Sequence, residues 1–204
     1  VMKKRHIPRT YWGKALHNIR NTLTAMLATY RFKDITIEDN RTAVSTFVPS
    51  PSQTPGRLNL FEFKHFKFLV DFAHNPAGLE LLCDFIKKMD GEPKVGIISG
   101  TGDRSDDDIR ELGRISGRSF DEIIIRQDKN LRGRSAEEIV NLMVEGINET
   151  NATDIPIEII YKENESIMFA YDNGKPGTLI TILCDLVASA LDLVSAWKEN
   201  DDLV

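Results

Sequence analysis

The sequence predicts an α/β protein in which a short helical segment precedes a doubly wound, Rossmann-like parallel sheet. Short runs of Ile, Val and Leu alternate along the chain with stretches of helical periodicity, a pattern typical of βαβ units. The runs are apolar throughout, so we expect strands that are buried on both faces, as parallel strands are. Three prolines and a glycine within residues 49–56 mark the boundary between the two parts.

The periodicity predicts each element in turn. Apolar residues at helical spacing predict N-terminal helices over residues 14–31 and 37–47. After the boundary, two β-like runs joined by Lys64-His65 predict a hairpin. The predicted strands are residues 58–63, 66–72, 95–99, 123–125, 157–161 and 179–183. The predicted helices of this region are residues 77–89, 106–118, 135–147, 164–171 and 187–198, of which the third begins with a capping box formed by Ser135 and Glu138.

Right-handed crossovers between these units place a Rossmann-like domain over residues 55–204. Ligands of such sheets bind beyond the carboxyl ends of the strands. We therefore expect the chemistry in the polar loops that follow the strands, which are residues 71–76, 99–105, 126–134 and 184–186.

The net charge argues against nucleic acid and anionic membranes as partners. The chain of 204 residues has a formal net charge of -5, so it lacks the basic surface that nucleic acid or an anionic membrane attracts. No apolar run reaches the roughly 18 residues of a membrane-spanning helix.

Cys83 and Cys184 lie in apolar stretches without a CxxC partner. We expect them to be buried and reduced in a cytoplasmic protein.

The first candidate site is the run Asp71-Phe72-Ala73-His74-Asn75-Pro76, at a predicted strand-to-helix turn. A carboxylate there can accept the two hydroxyls of a ribose, and His74 can contact a phosphate or a base. The free N–H groups of the helix N-terminus favour an anion. Alternatively, Asp71 and Asn75 cap the helix and have no further role.

Two further loops carry charged groups beside glycines. Gly100-Thr101-Gly102-Asp103-Arg104 allows a ligand to approach the backbone, although its glycines can equally form a tight turn and Asp103 or Asp106 can cap the next helix. The segment 128–134 presents Arg132 and Arg134 around Gly133. Two arginines can bind a carboxylate or a phosphate, and a solvated charge run is the alternative.

On the first helix, Asn18 and Asn21 lie three residues apart and therefore share a face. Their amides suit the edge of an adenine ring, although two polar residues on an exposed helical face are equally common.

The sequence holds no G-x-x-x-x-G-K-[ST] pattern, because Gly13-Lys14 is followed by alanine and Gly174-Lys175 by proline. It also holds no nucleophile elbow and no metal-binding pair of histidines. Hydrolase interpretations therefore have little support.

Taken together and in chain order, these motifs resemble the Mur ligase superfamily. The family signature is H-N-x-x-N on a helix, a stretch ending in G-R, then D-Y-A-H-N-P, then G-x-G-D-R. The matching residues are His17-Asn18 with Asn21, Gly56-Arg57, the run from Asp71 to Pro76, and Gly100 to Arg104. Phe72 replaces the tyrosine, which removes one hydroxyl group. Each motif alone is weak, but four in this order are a specific signal.

Within the superfamily the chain is most similar to the cyanophycin synthetases, above all in the linker at residues 47–61, and the resemblance covers almost the whole chain. It implies that residues 1–54 end a central ATP-binding domain and that residues 55–204 form a complete C-terminal domain. It also implies amide-bond synthesis, in which ATP phosphorylates a carboxylate of a growing peptide polymer and an amine attacks the acyl phosphate. In cyanophycin synthetases this half adds arginine to the side-chain carboxylate of aspartate.

The resemblance also implies roles for individual residues. It places Asn18 and Asn21 at the adenine, Arg57 at the phosphates, Asp71 at the ribose hydroxyls and His74 at the nucleotide or a phosphate. The residues implied on the catalytic acceptor side of the cleft are Asp103, Arg104, Arg132 and Arg134. ATP and Mg²⁺ are the implied cofactors, with no metal ligand assigned within this chain.

Without a P-loop, we expect the chain alone to lack ligase activity and to bind ATP weakly. The implied partners are a cyanophycin-like peptide polymer and an amino acid, and we expect a homo-oligomer. Three alternatives stay open. One is a folylpolyglutamate synthase or muramyl-peptide ligase of the same superfamily, and another is a Rossmann-like binding module without catalysis. The third is a homologue that polymerises preformed dipeptides and has an inactive Mur-like half.

Overall fold

A computed structural model describes residues 3–150 and 154–203. Two short 3-10 helices, Lys4–His6 and Pro8–Thr10, come first. The α-helices of the described residues are α1 (Leu16–Thr29), α2 (Ile37–Thr46), α3 (Pro76–Ile86), α4 (Asp106–Gly117), α5 (Ala136–Asn148), α6 (Glu163–Asp172) and α7 (Val187–Leu203). The strands are β1 (Asn59–Glu62), β2 (Lys67–Asp71), β3 (Lys94–Ile98), β4 (Glu122–Ile125), β5 (Ile157–Ile159) and β6 (Leu179–Leu183).

The strands form one sheet in the order β1-β2-β6-β3-β4-β5. β1 pairs antiparallel with β2, so the predicted hairpin is confirmed. The other neighbours pair in parallel. β6, the last strand in the chain, lies between β2 and β3, and the loops after these three strands therefore meet at one edge. Open α/β sheets bind ligands at such an edge.

Each face of the sheet carries a hydrophobic core. Side chains alternate between the faces along a strand, so Leu179 and Leu183 of β6 enter one core while Ile180 and Ile182 enter the other. Helices α3, α4 and α5 cover the first face, and α6 and α7 cover the second. Burial on both faces explains why the four inner strands β2, β3, β4 and β6 are mostly apolar. The edge strand β5 is largely exposed, contrary to the expectation for all strands. The predicted α/β fold class is confirmed.

The N-terminal segment joins the first core through Tyr11 and Ala15. The Tyr11 ring packs edge-on against Phe85 of α3, with 5.2 Å between the ring centroids. This contact fixes the segment beside the loop that follows β2.

The buried face of α1 is polar, since its two buried residues are Asn18 and Thr22. The apolar stripe that defined this helix in the sequence lies outside, where Leu23 is 55% and Leu27 71% exposed. Within the described residues these side chains stay exposed.

Helix caps differ in part from the sequence expectation. Ser105 caps α4, its hydroxyl accepting the Asp108 N–H at 3.1 Å, so neither Asp103 nor Asp106 is the cap. Ser135 caps α5 as predicted, through the Glu138 N–H at 3.1 Å. The predicted capping box was wrong, however, because the Glu138 carboxylate pairs with Arg134.

Both cysteines are buried and free, as predicted. Burial raises the pKa of Cys83 to about 11 and that of Cys184 to about 12. None of the helices in the described residues has the length and apolar character to cross a membrane.

Candidate functional site

Polar loops meet at the C-terminal edge of the sheet, as predicted. The Ser99 hydroxyl donates to Asp128 Oδ1 at 2.9 Å, which joins the loops after β3 and β4. The Lys129 N–H donates to Asp185 Oδ2 at 3.0 Å, which joins the loops after β4 and β6. Chemistry-bearing side chains from distant parts of the sequence are therefore neighbours here.

A cavity of about 270 Å³ opens between α1 and the loop after β2. Its lining includes all five residues predicted to bind the nucleotide, which are Asn18, Asn21, Arg57, Asp71 and His74. Its volume is near the lower end of the roughly 300–1,000 Å³ of small-molecule sites. A nucleoside fits such a space better than a whole nucleoside triphosphate.

Asp71 ends β2 and is buried beside the cavity. Its Oδ2 accepts the Leu58 N–H at 2.9 Å, while the Tyr11 hydroxyl donates to the Leu58 carbonyl. Leu58 has a φ of +51°, a left-handed conformation that costs a non-glycine residue about 1–2 kcal/mol. The two hydrogen bonds hold this strained peptide, and they thereby fix Arg57, the preceding residue, at the cavity.

Burial is the main influence on the pKa values of Asp71 and Tyr11. It raises the pKa of the Asp71 carboxyl, against the opposing effects of the Leu58 N–H and the Arg57 charge. Burial, followed by the charge of Asp71, raises the pKa of Tyr11 to about 12. Tyr11 is therefore a hydrogen-bond donor at neutral pH.

Residues of α1 form the opposite wall of the cavity. Asn18 is buried, and its Nδ2 donates to the Arg9 carbonyl at 2.9 Å. Asn21 is exposed one turn later. His17 is half-buried, and burial together with the Arg9 charge lowers its pKa. His17 is therefore neutral at pH 7 and can both donate and accept a hydrogen bond.

Arg57 and His74 are the exposed polar groups around Phe72. The Arg57 guanidinium lies 5.6 Å from the centroid of the Phe72 ring, in cation–π contact. His74 Nδ1 is 3.0 Å from the Phe72 carbonyl, and the two rings are tilted with centroids 4.9 Å apart. The Phe72 ring thus orients both side chains, and it leaves the Arg57 donors and His74 Nε2 free of the ring itself.

The four residues predicted on the acceptor side form a second group, between the loops after β3 and β4. Asp103 and Arg132 form an exposed ion pair. Arg134 donates to the carbonyls of Gly102 and Arg104, each at 3.1 Å, and pairs with Asp106 at 2.7 Å. None of the four predicted residues lines the cavity beside α1.

The two groups differ in what they can bind. Amide, carboxylate and guanidinium groups around the cavity match the base, hydroxyl and phosphate parts of a nucleotide. Across residues 3–150 and 154–203, no three His, Cys, Asp or Glu side chains are grouped as metal ligands. Mg²⁺ is commonly held by one or two carboxylates together with phosphate oxygens and water, and no such set of ligands is assigned among the residues of the cavity.

Comparison with known proteins identifies the family of the chain. The family model described as Mur ligase, glutamate ligase domain, matches residues 56–184, which is more than half of the chain. The chain belongs to the Mur ligase family.

Relatives of this Mur ligase domain include the cyanophycin synthetase of Crocosphaera subtropica, 39% identical over 93% of the chain and 21% of the relative. The cyanophycin synthetase of Synechocystis is 39% identical over 94% of the chain and 22% of the relative. The chain thus spans about a fifth of these relatives. A Mycobacterium tuberculosis folylpolyglutamate synthase, solved with ADP and AMPPCP, superposes with a TM-score of 0.66 at 21% identity, over 87% of the chain and 40% of that structure.

Sequence reasoning missed four residues of this Mur ligase domain. Arg9 and His17 line the cavity. His17 belongs to the H-N-x-x-N motif and could have been selected, whereas Arg9 lies in an irregular segment without a pattern. Arg126 and Glu163 form a buried ion pair at the same edge of the sheet. In the sequence, the one hint of this ion pair is an arginine at the end of an apolar strand.

We expect Asp71 to make this Mur ligase domain less stable as pH rises. Between the usual aspartate pKa of about 3.9 and the raised pKa of Asp71, the unfolded chain has lost the proton that the folded chain keeps. Rising pH therefore favours unfolding in that window, and the effect is constant above it. Asp71→Asn removes this dependence. Urea unfolding should therefore show that the free energy of unfolding of the variant increases relative to that of wild type as pH rises.

Asp39→Asn is the control for the Asp71 experiment. Hydrogen bonds from the Thr36 side chain and N–H lower the pKa of Asp39, so its contribution to stability is present above the usual aspartate pKa and is lost as pH falls. The free energy of unfolding of Asp39→Asn should therefore decrease relative to that of wild type as pH rises. Parallel curves for Asp71→Asn and wild type would contradict the burial argument.

Proposed function

We propose that this chain is the C-terminal part of an ATP-dependent amide ligase of the cyanophycin synthetase type. ATP phosphorylates an aspartate side-chain carboxylate of a peptide polymer, the amine of arginine attacks the acyl phosphate, and phosphate leaves as the amide forms. Residues 1–54 end the central ATP-binding domain, and residues 55–204 are the C-terminal domain. The enzyme works in the cytoplasm as a homo-oligomer on a cyanophycin-like polymer.

The observation that carries this proposal is the cavity beside α1. Five residues that the motif order assigns to a nucleotide line one space, although they come from both parts of the chain. A binding module without catalysis gives no reason for the second cationic group on the neighbouring loops. Identity of 39% to cyanophycin synthetases, against 27% to a diaminopimelate-adding muramyl ligase, supports the choice within the family.

In the proposed complex, the amides of Asn18 and Asn21 contact the edge of the adenine. A carboxylate has about four lone-pair sites, so Asp71 accepts a ribose hydroxyl while it still holds the Leu58 N–H. Arg57 and His74 are exposed, and they lie towards the phosphates. Catalysis here consists of positioning and charge neutralisation.

On the acceptor side, the contacts separate two roles. Arg132 and Asp103 are exposed, so they can exchange their mutual pairing for contact with the incoming amino acid or the polymer. Arg134 is occupied by carbonyls and carboxylates, and it holds the loop that carries Arg104. We assign Arg134 to positioning, and Arg132 with Asp103 to substrate contact.

The phosphate cradle and the Mg²⁺ ligands lie outside this chain in the proposed enzyme. The chain alone is therefore inactive and binds ATP weakly, since it lacks the main contacts to the phosphates. Phosphate release measured with ATP, primer and arginine should be absent for the chain and present for the complete ligase. ATP-dependent release by the chain itself, or sub-micromolar ATP binding by calorimetry, would contradict this division.

Arg57→Ala in the complete ligase is expected to raise the KM for ATP by about tenfold to a hundredfold, because one charge-assisted contact is worth roughly 1.5–3 kcal/mol. The KM for arginine should stay unchanged. Arg118→Ala is the matched control, since Arg118 is an exposed arginine paired with Glu111 at the opposite edge of the sheet. Steady-state kinetics with each substrate varied in turn measures both values, and equal effects of the two variants would exclude Arg57 from the site.

A further inference from the structure

Arg126 is the largest fully buried side chain of the described residues, with 1% of its surface exposed. It follows β4, at the edge of the sheet where the proposed site lies. Burying a charged group costs several kcal/mol unless its partners are well placed. An apolar residue at the end of an apolar strand would avoid that cost, so the geometry around Arg126 requires an explanation.

Each nitrogen of the Arg126 guanidinium has a partner. Nε and Nη2 donate to the Leu183 carbonyl, the former at 3.1 Å. Nη1 donates to the Gln127 carbonyl at 3.2 Å and to Asp128 Oδ1 at 3.0 Å. Nη2 also lies 3.2 Å from Glu163 Oε2. Four of these contacts are hydrogen bonds, and the contact with Glu163 is an ion pair.

The partners of Arg126 in turn hold neighbouring loops. Glu163, at the start of α6, accepts the Asp185 N–H at 2.6 Å and the Leu186 N–H at 3.2 Å. Asp128 also accepts the Ser99 hydroxyl, as described above. One guanidinium therefore connects the loops after β3, β4 and β6 through two carboxylates.

We propose that Arg126 is a positioning residue that fixes these three loops relative to one another beneath the acceptor side of the site. The inference rests on the proposed function, because the loop after β4 carries Arg132 and Arg134. Arg126 is buried and touches no substrate. It acts through segment 127–134, whose register relative to β6 is set by the Leu183 carbonyl and by the bond between Lys129 and Asp185.

The geometry of the guanidinium is what the loops need, rather than its charge alone. Lysine carries the same charge but has three donors on one nitrogen, so it cannot reach Leu183, Asp128 and Glu163 together. Arg126→Lys should therefore neutralise the buried carboxylates and keep the fold, while the loops separate. Arg126→Met should in addition leave two buried carboxylates uncompensated.

The test compares Arg126→Lys and Arg126→Met with wild type in the complete ligase. We expect both variants to raise the KM for the amino acid by about tenfold to a hundredfold, with the KM for ATP unchanged. Hydrogen–deuterium exchange should increase in residues 99–105, 127–134 and 184–187 and not in α3 or β2. Arg126→Lys should keep the urea midpoint close to wild type, so the proposal remains testable if Arg126→Met does not fold.

Lys94→Met is the matched control, because Lys94 also has a largely buried side chain in an ion pair, with Glu92, at the opposite edge of the sheet. It should change exchange locally and leave both KM values unchanged. The proposal would be overturned if Arg126→Lys had the wild-type KM for the amino acid and wild-type loop exchange. It would also be overturned if the KM for ATP rose as much as the KM for the amino acid. If the wild-type ligase makes no amide, the proposed function fails, and loop exchange still decides whether Arg126 joins the loops.

Discussion

Gly146→Ala is expected to lower the free energy of unfolding by about 2 kcal/mol, within the range of 1–3 kcal/mol for overpacking a well-packed site. Gly146 lies in α5, and a Cβ at that position would be 2.0 Å from the Arg110 carbonyl oxygen of α4. A Cβ at Gly113 of α4 would be 2.2 Å from the Met143 carbonyl oxygen. The two helices thus approach backbone to backbone through glycines on both sides.

Two effects oppose each other at Gly146. Alanine favours a helix over glycine by about 1 kcal/mol. A backbone oxygen cannot rotate away as a side chain can, so α4 and α5 must separate by an ångström or more. That separation disrupts the packing of Ile109 and Met143, both fully buried. The loss exceeds the gain, and destabilisation should win.

Urea unfolding measures this change, and Gly78→Ala is its matched control. Gly78 is also helical, in α3, but the nearest atom to its added Cβ is Asn75 Oδ1 at 3.3 Å, followed by side-chain carbons at 3.8 Å. Alanine there should leave stability almost unchanged or raise it slightly. If Gly146→Ala were as stable as Gly78→Ala, the close approach of α4 and α5 would not exist in solution.

Gly102→Ala is expected to reduce kcat/KM of the complete ligase for the amino acid by about a hundredfold, the loss that a 1 Å misplacement can cause. Gly102 lies in the loop after β3, and a Cβ there would be 2.0 Å from the Leu131 carbonyl oxygen. The loops after β3 and β4 touch at this point. Adding one methyl group must therefore push Asp103 away from Arg132.

Nucleotide binding should survive the same change, because Gly102 does not line the cavity beside α1. The KM for ATP is therefore expected to stay at its wild-type value. Gly174→Ala is the control, since Gly174 lies in a loop at the opposite edge of the sheet and its nearest contacts would be 3.3 Å. An unchanged kcat/KM in Gly102→Ala would show that the contact between these loops plays no part in the reaction.

The loops of the site illustrate how far sequence patterns reach. The order of strands and helices places the loops after β2, β3, β4 and β6 at one edge, and their polar residues could be identified before folding. Their mutual contacts could not be predicted in this way. The bond between Lys129 and Asp185 joins positions far apart in the chain, and no local pattern encodes which loop lies beside which.

Asp71 shows a second limit. Its position at the end of a strand and before Asn75, the N-cap of α3, follows from the sequence. Its bond to the Leu58 N–H depends on the linker, and the Tyr11 hydroxyl of the N-terminal segment holds the same peptide. Burial of this end of β2 raises the pKa of Asp71, while the Leu58 N–H lowers it. The linker, the N-terminal segment and β2 are three separate parts of the chain, so the electrostatic state of the carboxyl is a tertiary property.

The sequence by itself determined the alternation of elements, the two-faced sheet and the family, because periodicity and short motifs are local properties of the chain. Only the tertiary structure decided which face of α1 is buried. Hydrophobic spacing favoured the stripe with Leu23 and Leu27, yet Asn18 and Thr22 turn inward. Tyr11 and Ala15 anchor the segment beside α3, and this anchoring sets the rotation of α1. The same rotation brings the asparagines of α1 to the cavity that Arg57, Asp71 and His74 complete.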